Sequence, residues 1–294
     1  MLAWLVLIGC QNINAGPMIE AHRGGAGYWP QNSRMAMDGV IGGDFEAVEF
    51  DLVLTSDGAP VLSHDPWVHR DLCTEIDGAP VKKEILIQDL TLEELQSGWL
   101  CGGEPDADFP QAHVNAESVM SFDELLLALK GRNSYLLAHI DLKYEPGLTA
   151  APEVFAEQVF SRWFAADLPN PFYATANSPE VIAAVEAYGR DNNRDITTSL
   201  VWPRFPPGDS TLAVALKAER DIMLGLTDYV SLAHEADADG LAVYFEAADK
   251  RQIQIAKDNG LQIQLWTLND PEALDYYAAW PVDALITDYP GDYP

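Results

Sequence analysis

Two histidines and two carboxylates stand near the ends of short apolar runs in the first part of the chain. His22 ends the run that begins at Met18, and His64 ends another such run. Between them, Glu49 and Asp51 occupy alternate positions of an apolar segment, so a strand would point both carboxylates to one face. Carboxylates this close repel each other unless a cation lies between them. The pattern therefore predicts a cation site flanked by two groups that titrate near neutral pH.

A second alternate pair, Asp141 and Lys143, ends the apolar run that starts at Tyr135. Asp141 would add a third carboxylate, and oxygen ligands of this kind suit Ca²⁺ or Mg²⁺. Lys143 and Arg23 would bind an anion. A metal, cations for nonbridging oxygens, and acid and base groups are together what phosphodiester hydrolysis requires.

Taken singly, each of these residues has a simpler explanation. An isolated Glu-x-Asp pair is commonly a solvated strand face, a lone lysine a surface residue, and a lone histidine a structural hydrogen-bonding group. The adjacency of His22 to Arg23 and of His64 to Asp65 favours function. We interpret the other histidines, which are His69, His113, His139 and His234, as structural. His139 lies on the same strand face as Asp141, so a supporting role at the metal site is open for it as well.

Apolar strand segments alternate with helical segments along most of the chain, which favours an α/β fold and a (β/α)8 TIM barrel. Such barrels have about 250 residues and place their chemistry at the carboxyl ends of the strands. The interval 203–239 fits least well, because Pro206-Pro207-Gly208 interrupts it. The predicted strands are Met18–His22, Ala47–Leu54, Tyr135–Leu142, Phe172–Thr175, Thr197–Val201, Gly240–Phe245, Gln262–Trp266 and Ala284–Thr287.

The domain organisation follows from these segments. We interpret residues 18–294 as one barrel domain and residues 66–132 as an insertion after the second strand region, since no linker brackets them. Residues 1–17 resemble a signal segment, and Leu7-Ile8-Gly9-Cys10 matches a lipobox, although basic residues are missing before it. This predicts an exported protein, periplasmic or anchored to a membrane through lipidated Cys10. The alternative is a cytoplasmic protein with an apolar first strand or tail.

The charge and cysteine content of the chain bear on which partners and which cellular compartment are expected. The 294 residues include 46 acids against 17 lysines and arginines, for a net charge of −29. That field repels nucleic acid and is typical of a solvated acidic surface. Cys73 and Cys101 would pair in an oxidising compartment, or each would remain a buried thiol; the sequence leaves both open, and it leaves the oligomeric state open as well.

The ordered motifs resemble those of the glycerophosphodiester phosphodiesterase family over nearly the whole chain after residue 18. They are His22-Arg23-Gly24, Pro30-Gln31-Asn32-Ser33, Glu49-Phe50-Asp51, Thr55-x-Asp57-Gly58, His64-Asp65, Asp89-Leu90-Thr91, Asp141-Leu142-Lys143, Trp266-Thr267 and Thr287-Asp288-x-Pro290. The resemblance implies a barrel with a small insertion. It also implies metal-dependent hydrolysis of glycerophosphodiesters to sn-glycerol 3-phosphate and an alcohol.

The resemblance assigns roles to several of the matching positions. A divalent metal, Ca²⁺ or Mg²⁺, is expected on Glu49, Asp51 and Asp141, with His22 and His64 as the acid and base. Arg23 and Lys143 are expected to bind the phosphate and Trp266 to line the alcohol pocket. Gln31, Asn32 and His139 are expected near the site without a defined role.

Two positions depart from the family pattern. Gln31 stands where the family usually has Glu, and Asp141 where the third ligand is usually Glu; both predict weaker metal binding or a different metal preference. Two rival functions stay open. One is a phospholipase-D-like or lysophospholipid phosphodiesterase, with Tyr28, Trp29 and Trp67 as an apolar rim. The other is a catalytically inactive binding lipoprotein of the same fold.

Overall fold

The structure is a computed structural model that describes residues 16–132, 134–205 and 210–292. The predicted lipobox and Cys10 lie outside these ranges. Within them, the longest apolar helices fall short of what crossing a bilayer requires, and none qualifies as a membrane span.

The strands form a closed barrel. Eight parallel strands follow one another in the order β1-β2-β6-β7-β8-β9-β10-β11, and β1 pairs with both β2 and β11. The predicted (β/α)8 TIM barrel is confirmed. The strands are β1 (Met18–Ala21), β2 (Ala47–Leu54), β3 (Pro60–Leu62), β4 (Cys73–Glu75), β5 (Trp99–Cys101), β6 (Leu137–Leu142), β7 (Phe172–Ala176), β8 (Thr198–Trp202), β9 (Gly240–Tyr244), β10 (Gln262–Trp266) and β11 (Ala284–Thr287).

Helices cover the outside of the barrel, and several begin where a side chain caps the first turn. Ser33 accepts a hydrogen bond from the backbone N–H of Ala36, and Ser121 forms a capping box with Glu124. The helices are α1 (Arg34–Gly42), α2 (Leu92–Gly98), α3 (Phe122–Leu129), α4 (Pro152–Ala166), α5 (Pro179–Asn192), α6 (Thr211–Met223), α7 (Tyr229–Ala236), α8 (Lys250–Asp258) and α9 (Pro271–Ala278).

Strand β2 shows how the sequence places polar residues inside the barrel. All of its residues are buried. Val48, Phe50 and Leu52 belong to the apolar layer between the barrel and the helices. Because successive side chains alternate between faces, Glu49 and Asp51 point to the barrel interior. The carboxylate pair is therefore buried as a consequence of the same alternation that packs the helices.

The segment predicted as an insertion, residues 66–132, contributes to two hydrophobic clusters. Strands β4 and β5 form a separate antiparallel pair, joined by a disulfide between Cys73 and Cys101. Of the two fates left open for these cysteines, pairing is the one observed. The predicted insertion extended to residue 132, but α3 packs in the main core, where Phe122 stacks on Trp163. The interval after residue 203, which fitted the barrel pattern least well, contains α6 and α7.

Candidate active site

Three buried carboxylates meet at the carboxyl ends of β2 and β6. The parallel register sets Asp51 beside Asp141, and Glu49 beside His139 one layer below. One oxygen from each of Glu49, Asp51 and Asp141 lies within 4.8 Å of the others. Burial raises the pKa of Glu49 well above its usual value, and the charges of Asp51 and Asp141 add to this effect.

This acidic triad fits a divalent cation. Glu49 Oε1 and Asp141 Oδ1 are buried and make no hydrogen bond with the described part of the chain. A buried polar atom without a partner costs free energy, and native structures rarely keep one without a reason. A cation between the carboxylates would satisfy both oxygens, and a donor set made only of carboxylates suits Ca²⁺ or Mg²⁺. The structure thus provides a candidate divalent metal site, with the identity of the ion left open.

Lys143 places a positive charge beside the triad. Its Nζ lies 2.9 Å from Asp51 Oδ1 and 2.5 Å from Asp141 Oδ2. Burial alone would lower the pKa of Lys143, but the charges of Asp141 and Asp51 outweigh it, so the pKa is raised. The same ammonium, with His64 and Arg23, outweighs the burial of Asp51 and holds the pKa of that carboxyl well below its usual value. Lys143 and Asp51 are therefore ionised at neutral pH.

Arg23 reaches the triad from the turn after β1. Its backbone N–H donates to Glu49 Oε2 at 2.6 Å, and its Nε lies 3.5 Å from Asp51 Oδ2. The residue adopts a left-handed conformation with φ of 51°, which is uncommon for a side chain other than glycine and clusters at functional sites. The turn thus fixes both the backbone and the guanidinium of Arg23 against the carboxylates.

Asn32 and Gln31 hold these charged groups from the α1 side. Asn32 Nδ2 donates to Asp51 Oδ2 at 2.6 Å, and its Oδ1 accepts from the backbone N–H of Asp51 at 3.1 Å. Gln31 Oε1 accepts from Arg23 Nη1 at 2.6 Å. The two residues that had no defined role thus contact one proposed metal ligand and one proposed phosphate-binding group.

Each of the two predicted histidines is held by its own carboxylate. His22 Nδ1 lies 2.7 Å from Asp288 Oδ1, and His64 Nδ1 lies 2.9 Å from Asp65 Oδ1. An ionised carboxylate only accepts hydrogen bonds, so both rings carry the proton on Nδ1 and keep Nε2 for another partner. Burial lowers the pKa of His64, and the positive charges of Arg23 and Lys143 lower it further. His64 is therefore neutral at physiological pH.

These groups surround one cavity of about 450 Å³. Trp266 forms part of its wall, where the indole Nε1 donates to the carbonyl of Ala242 at 3.0 Å and the ring packs edge-on against Phe205. The predicted site residues that line the cavity are His22, Arg23, Glu49, His64, His139, Asp141, Lys143 and Trp266. Asp51 lies buried behind them, while Gln31 and Asn32 line a smaller adjoining cavity.

The aromatic rim proposed for a lipid-cleaving enzyme is only partly at this cavity. Trp67 lines it. Tyr28 instead donates a hydrogen bond to Asp292, and Trp29 packs against Phe45 on the α1 side of the barrel.

His139 belongs to a closed network deeper in the barrel. Its Nδ1 lies 2.8 Å from Glu20 Oε2, and its Nε2 lies 2.8 Å from Thr175 Oγ1. The Tyr173 hydroxyl donates to Glu20 and the phenol ring stacks on the imidazole, with ring centroids 4.3 Å apart. None of these hydrogen bonds reaches the three carboxylates, and a supporting role of His139 at the metal site stays a prediction.

Several residues that support the site were not predicted from the sequence. Asp288 was part of a motif but was given no role, although it directly follows a barrel strand, where acids that serve the site are expected. Asn269 holds it, donating from Nδ2 to Asp288 Oδ2 at 2.6 Å. Asp106 accepts from Gln31 Nε2 at 3.1 Å and lies in an irregular loop, where no periodic signal marked it.

The chain matches one family of known proteins along most of its length. A profile of the Glycerophosphoryl diester phosphodiesterase family matches residues 22–201 and 209–292. YhdW of Bacillus subtilis, provisionally named a glycerophosphodiester phosphodiesterase, is 24% identical over 276 residues, which are 92% of this chain and 94% of that protein.

Two solved structures share the fold. A crystal structure from Silicibacter pomeroyi, provisionally assigned the same activity, superposes with a TM-score of 0.81 at 22% identity, covering 97% of this chain and 94% of that one. An Oleispira antarctica phosphodiesterase in complex with the product sn-glycerol-3-phosphate gives 0.66 at 21% identity, covering 94% of each chain. The chain therefore belongs to the glycerophosphoryl diester phosphodiesterase family, as its motifs predicted.

Proposed function

We propose that this protein hydrolyses glycerophosphodiesters to sn-glycerol 3-phosphate and an alcohol, with a divalent cation bound at the acidic triad. One observation carries the proposal: two histidines, each held by its own carboxylate, share a cavity with two cations and with carboxylate oxygens that have no partner among the described residues. Family membership supports the reaction class. The product complex of the Oleispira antarctica relative supports the product.

Arg23 and Lys143 are the groups placed to bind the phosphoryl oxygens. Both charges face the cavity beside the triad. The contacts of Arg23 with Gln31 and Asp51 use Nη1 and Nε, and Nη2 makes no hydrogen bond with the described residues. Glu49, Asp51 and Asp141 would hold the cation, whose charge stabilises the negative phosphoryl oxygens when it is bound.

The histidines supply the proton transfers. Neutral His64 would accept at Nε2 the proton of the substrate's free glycerol hydroxyl as that oxygen bonds to phosphorus. His22, paired with Asp288, would donate a proton from Nε2 to the alcohol oxygen as its bond to phosphorus breaks. Water would then open the resulting cyclic phosphate while the two histidines exchange roles. Each carboxylate keeps its ring oriented throughout, because the Nδ1 hydrogen bond is not used in the transfer.

Release of glycerol 3-phosphate from glycerophosphocholine and glycerophosphoethanolamine tests the proposal. The purified protein is assayed directly, after EDTA, and after addition of Ca²⁺ or Mg²⁺. We expect EDTA to abolish release and one of the two ions to restore it. Turnover of lysophospholipids instead would favour the lipid-cleaving rival, and a folded protein inert toward every substrate would favour the binding lipoprotein.

We also propose that the protein works outside the cytoplasm, anchored through Cys10. The disulfide between Cys73 and Cys101 supports an oxidising compartment, since such bonds are rare in reducing ones. The lipobox supports the anchor. Mass spectrometry of the protein from membrane fractions tests this: a diacylglycerol-modified Cys10 is expected, and an unmodified amino terminus in the cytosolic fraction would contradict it.

A further inference from the structure

A loop of the inserted segment reaches the phosphate-binding arginine through a single side chain. Asp106 lies on this loop, and its Oδ2 accepts from Gln31 Nε2 at 3.1 Å. The other end of the same amide, Gln31 Oε1, accepts from Arg23 Nη1 at 2.6 Å. Gln31 therefore connects a carboxylate outside the barrel with a cation at its mouth.

The chemistry of the two neighbours fixes the orientation of the Gln31 amide. An ionised carboxylate only accepts hydrogen bonds and a guanidinium only donates them. With Asp106 on one side and Arg23 on the other, one amide orientation satisfies both contacts. The flipped orientation would set the amide NH₂ against the guanidinium and the carbonyl oxygen against the carboxylate. Asp106 thus holds the Gln31 amide in the orientation whose oxygen, rather than its NH₂ group, faces Arg23.

The loop that carries Asp106 is itself tied down near Gln31. Gly102, which follows the disulfide-bonded Cys101, has a φ of 78°, and a Cβ built on it would lie 2.7 Å from Pro30 Cβ. The close approach brings the start of the loop against the residue that precedes Gln31. Asp106 Oδ1 accepts from the backbone N–H of Asp108 at 2.9 Å, which fixes the carboxylate within the loop.

We propose that Asp106 is a positioning residue for phosphate binding: through Gln31 it orients the guanidinium of Arg23 toward the cavity. The inference rests on the proposed function, in which Arg23 binds the phosphoryl group. It also accounts for the departure at position 31. At position 31, where the family motif usually has Glu, this chain has an amide that contacts Arg23, and a carboxylate stands one contact further out on the inserted loop.

Exchanging the two side-chain types tests this arrangement. In D106N, one of the two side-chain oxygens becomes an NH₂ group. While the remaining oxygen keeps its hydrogen bond from the backbone N–H of Asp108, the NH₂ group faces Gln31 Nε2 and cannot accept from it. In Q31E, two carboxylates face each other. In the double variant D106N/Q31E, the carboxylate at position 31 accepts both from the amide at position 106 and from Arg23 Nη1, so every hydrogen bond is restored with the types exchanged. D108N, at an exposed position of the same loop, is the matched control.

Two readouts are measured for each variant: the KM and kcat for glycerophosphocholine, and the Kd for sn-glycerol 3-phosphate by calorimetry in Mg²⁺. We expect D106N to raise KM and Kd about tenfold, the effect of one hydrogen bond to a charged group, with a smaller change in kcat. The double variant should return within about threefold of the wild type. The effect of D106N therefore reverses its sign when residue 31 is a glutamate.

The proposal is overturned if D106N behaves like D108N, or if D106N/Q31E is no better than D106N alone. If Asp106 only stabilises its own loop, D106N/Q31E should be no better than D106N, because a substitution at residue 31 does not restore contacts within that loop. Failure of the proposed function has a different signature: the wild type releases no glycerol 3-phosphate, while the pattern of Kd values among the variants persists.

Discussion

Two clusters of ionisable side chains lie inside the same barrel, and they differ in whether their hydrogen bonds are complete. In the lower cluster, Glu20 and both nitrogens of His139 have partners, including Tyr173. In the upper cluster, the acidic triad, Glu49 Oε1 and Asp141 Oδ1 have none among the described residues. Both clusters are buried, and β6 contributes to each.

The difference separates a structural network from a binding site. A buried polar network whose members are all paired stabilises and specifies the fold. A buried cluster that leaves carboxylate oxygens without partners destabilises the fold until a ligand binds, and here those oxygens lie beside the cavity. Burial and charge alone do not distinguish the two clusters. The number of buried polar atoms without a hydrogen-bond partner distinguishes them.

The largest expected effect concerns the histidines at the cavity. Replacing His22 or His64 by Ala should lower kcat for glycerophosphocholine at least ~10²-fold, because each variant loses a general acid or base. His234→Ala, at an exposed position of α7, serves as the control and should retain the wild-type rate. A rate close to that of the wild type in H22A or H64A would remove that residue from the mechanism.

The second largest effect concerns the metal concentration that activity requires, which should change in variants of the upper cluster only. Asp141→Asn removes an anionic ligand, and we expect it to raise the Mg²⁺ or Ca²⁺ concentration for half-maximal activity roughly tenfold or more. Glu20→Gln in the lower cluster should leave that concentration unchanged. Activity titrated with metal after EDTA treatment measures both. Equal shifts in the two variants would mean that the clusters are not functionally separate.

Without metal, substitutions in the two clusters should change the free energy of unfolding in opposite directions. Glu49→Gln should raise the free energy of unfolding in EDTA by about 1–3 kcal/mol, because it removes a buried charge beside two others. Glu20→Gln should lower it by a similar amount, about 1–3 kcal/mol, because it weakens a satisfied network. Chemical denaturation at pH 7 measures the two values, and changes of the same sign would contradict the comparison.

The pH dependence of this stability has a definite direction. The folded state raises the pKa of Glu49, so its contribution is fully present below the unfolded pKa and is lost as pH rises through the folded pKa. In EDTA, the wild type should therefore lose stability relative to E49Q as pH increases above about 4.5, the ordinary range for a Glu. Denaturation curves at several pH values check the slope; a constant difference would mean that Glu49 does not titrate in this way.

The smallest effect concerns His64. Because its pKa is lowered, kcat/KM should fall on the acid side with a midpoint below about pH 6.5, the ordinary value for a histidine. The hydrogen bond to Asp65 raises the pKa against this trend, so Asp65→Asn should move the midpoint further down, by about one unit or less. A midpoint that moves upward in D65N would assign the acid limb to another group.

Local sequence patterns predicted the barrel and most of the groups around the cavity. Alternation in β2 was enough to put Glu49 and Asp51 on one face, and strand ends were enough to single out His22 and His64. The partner of His22 is 266 residues away in the chain, because barrel closure brings the last strand beside the first. No local pattern carries that information. The catalytic and ligand roles themselves remain predictions.

Helix α3 and Asp106 illustrate two other limits. The helix has an ordinary capped, apolar sequence, so only its packing against Trp163 shows that it belongs to the barrel layer. The loop of Asp106 has no periodicity, and its position depends on a close backbone approach to Pro30 and on a disulfide. Both features depend on contacts between segments that are distant in sequence.

The direction of β1 has a consequence for how a tethered molecule would meet its substrates. The strand enters the barrel at Met18 and ends at the mouth, so Gly16 lies on the side of the barrel opposite the cavity. If Cys10 carries lipid as proposed, the six steps from Cys10 to Gly16 span at most about 22 Å, since each residue spans at most ~3.6 Å. Such a tether would attach the barrel to the bilayer from the side opposite its mouth. Headgroup esters that diffuse freely would then reach the cavity more readily than lipids still embedded in the same membrane.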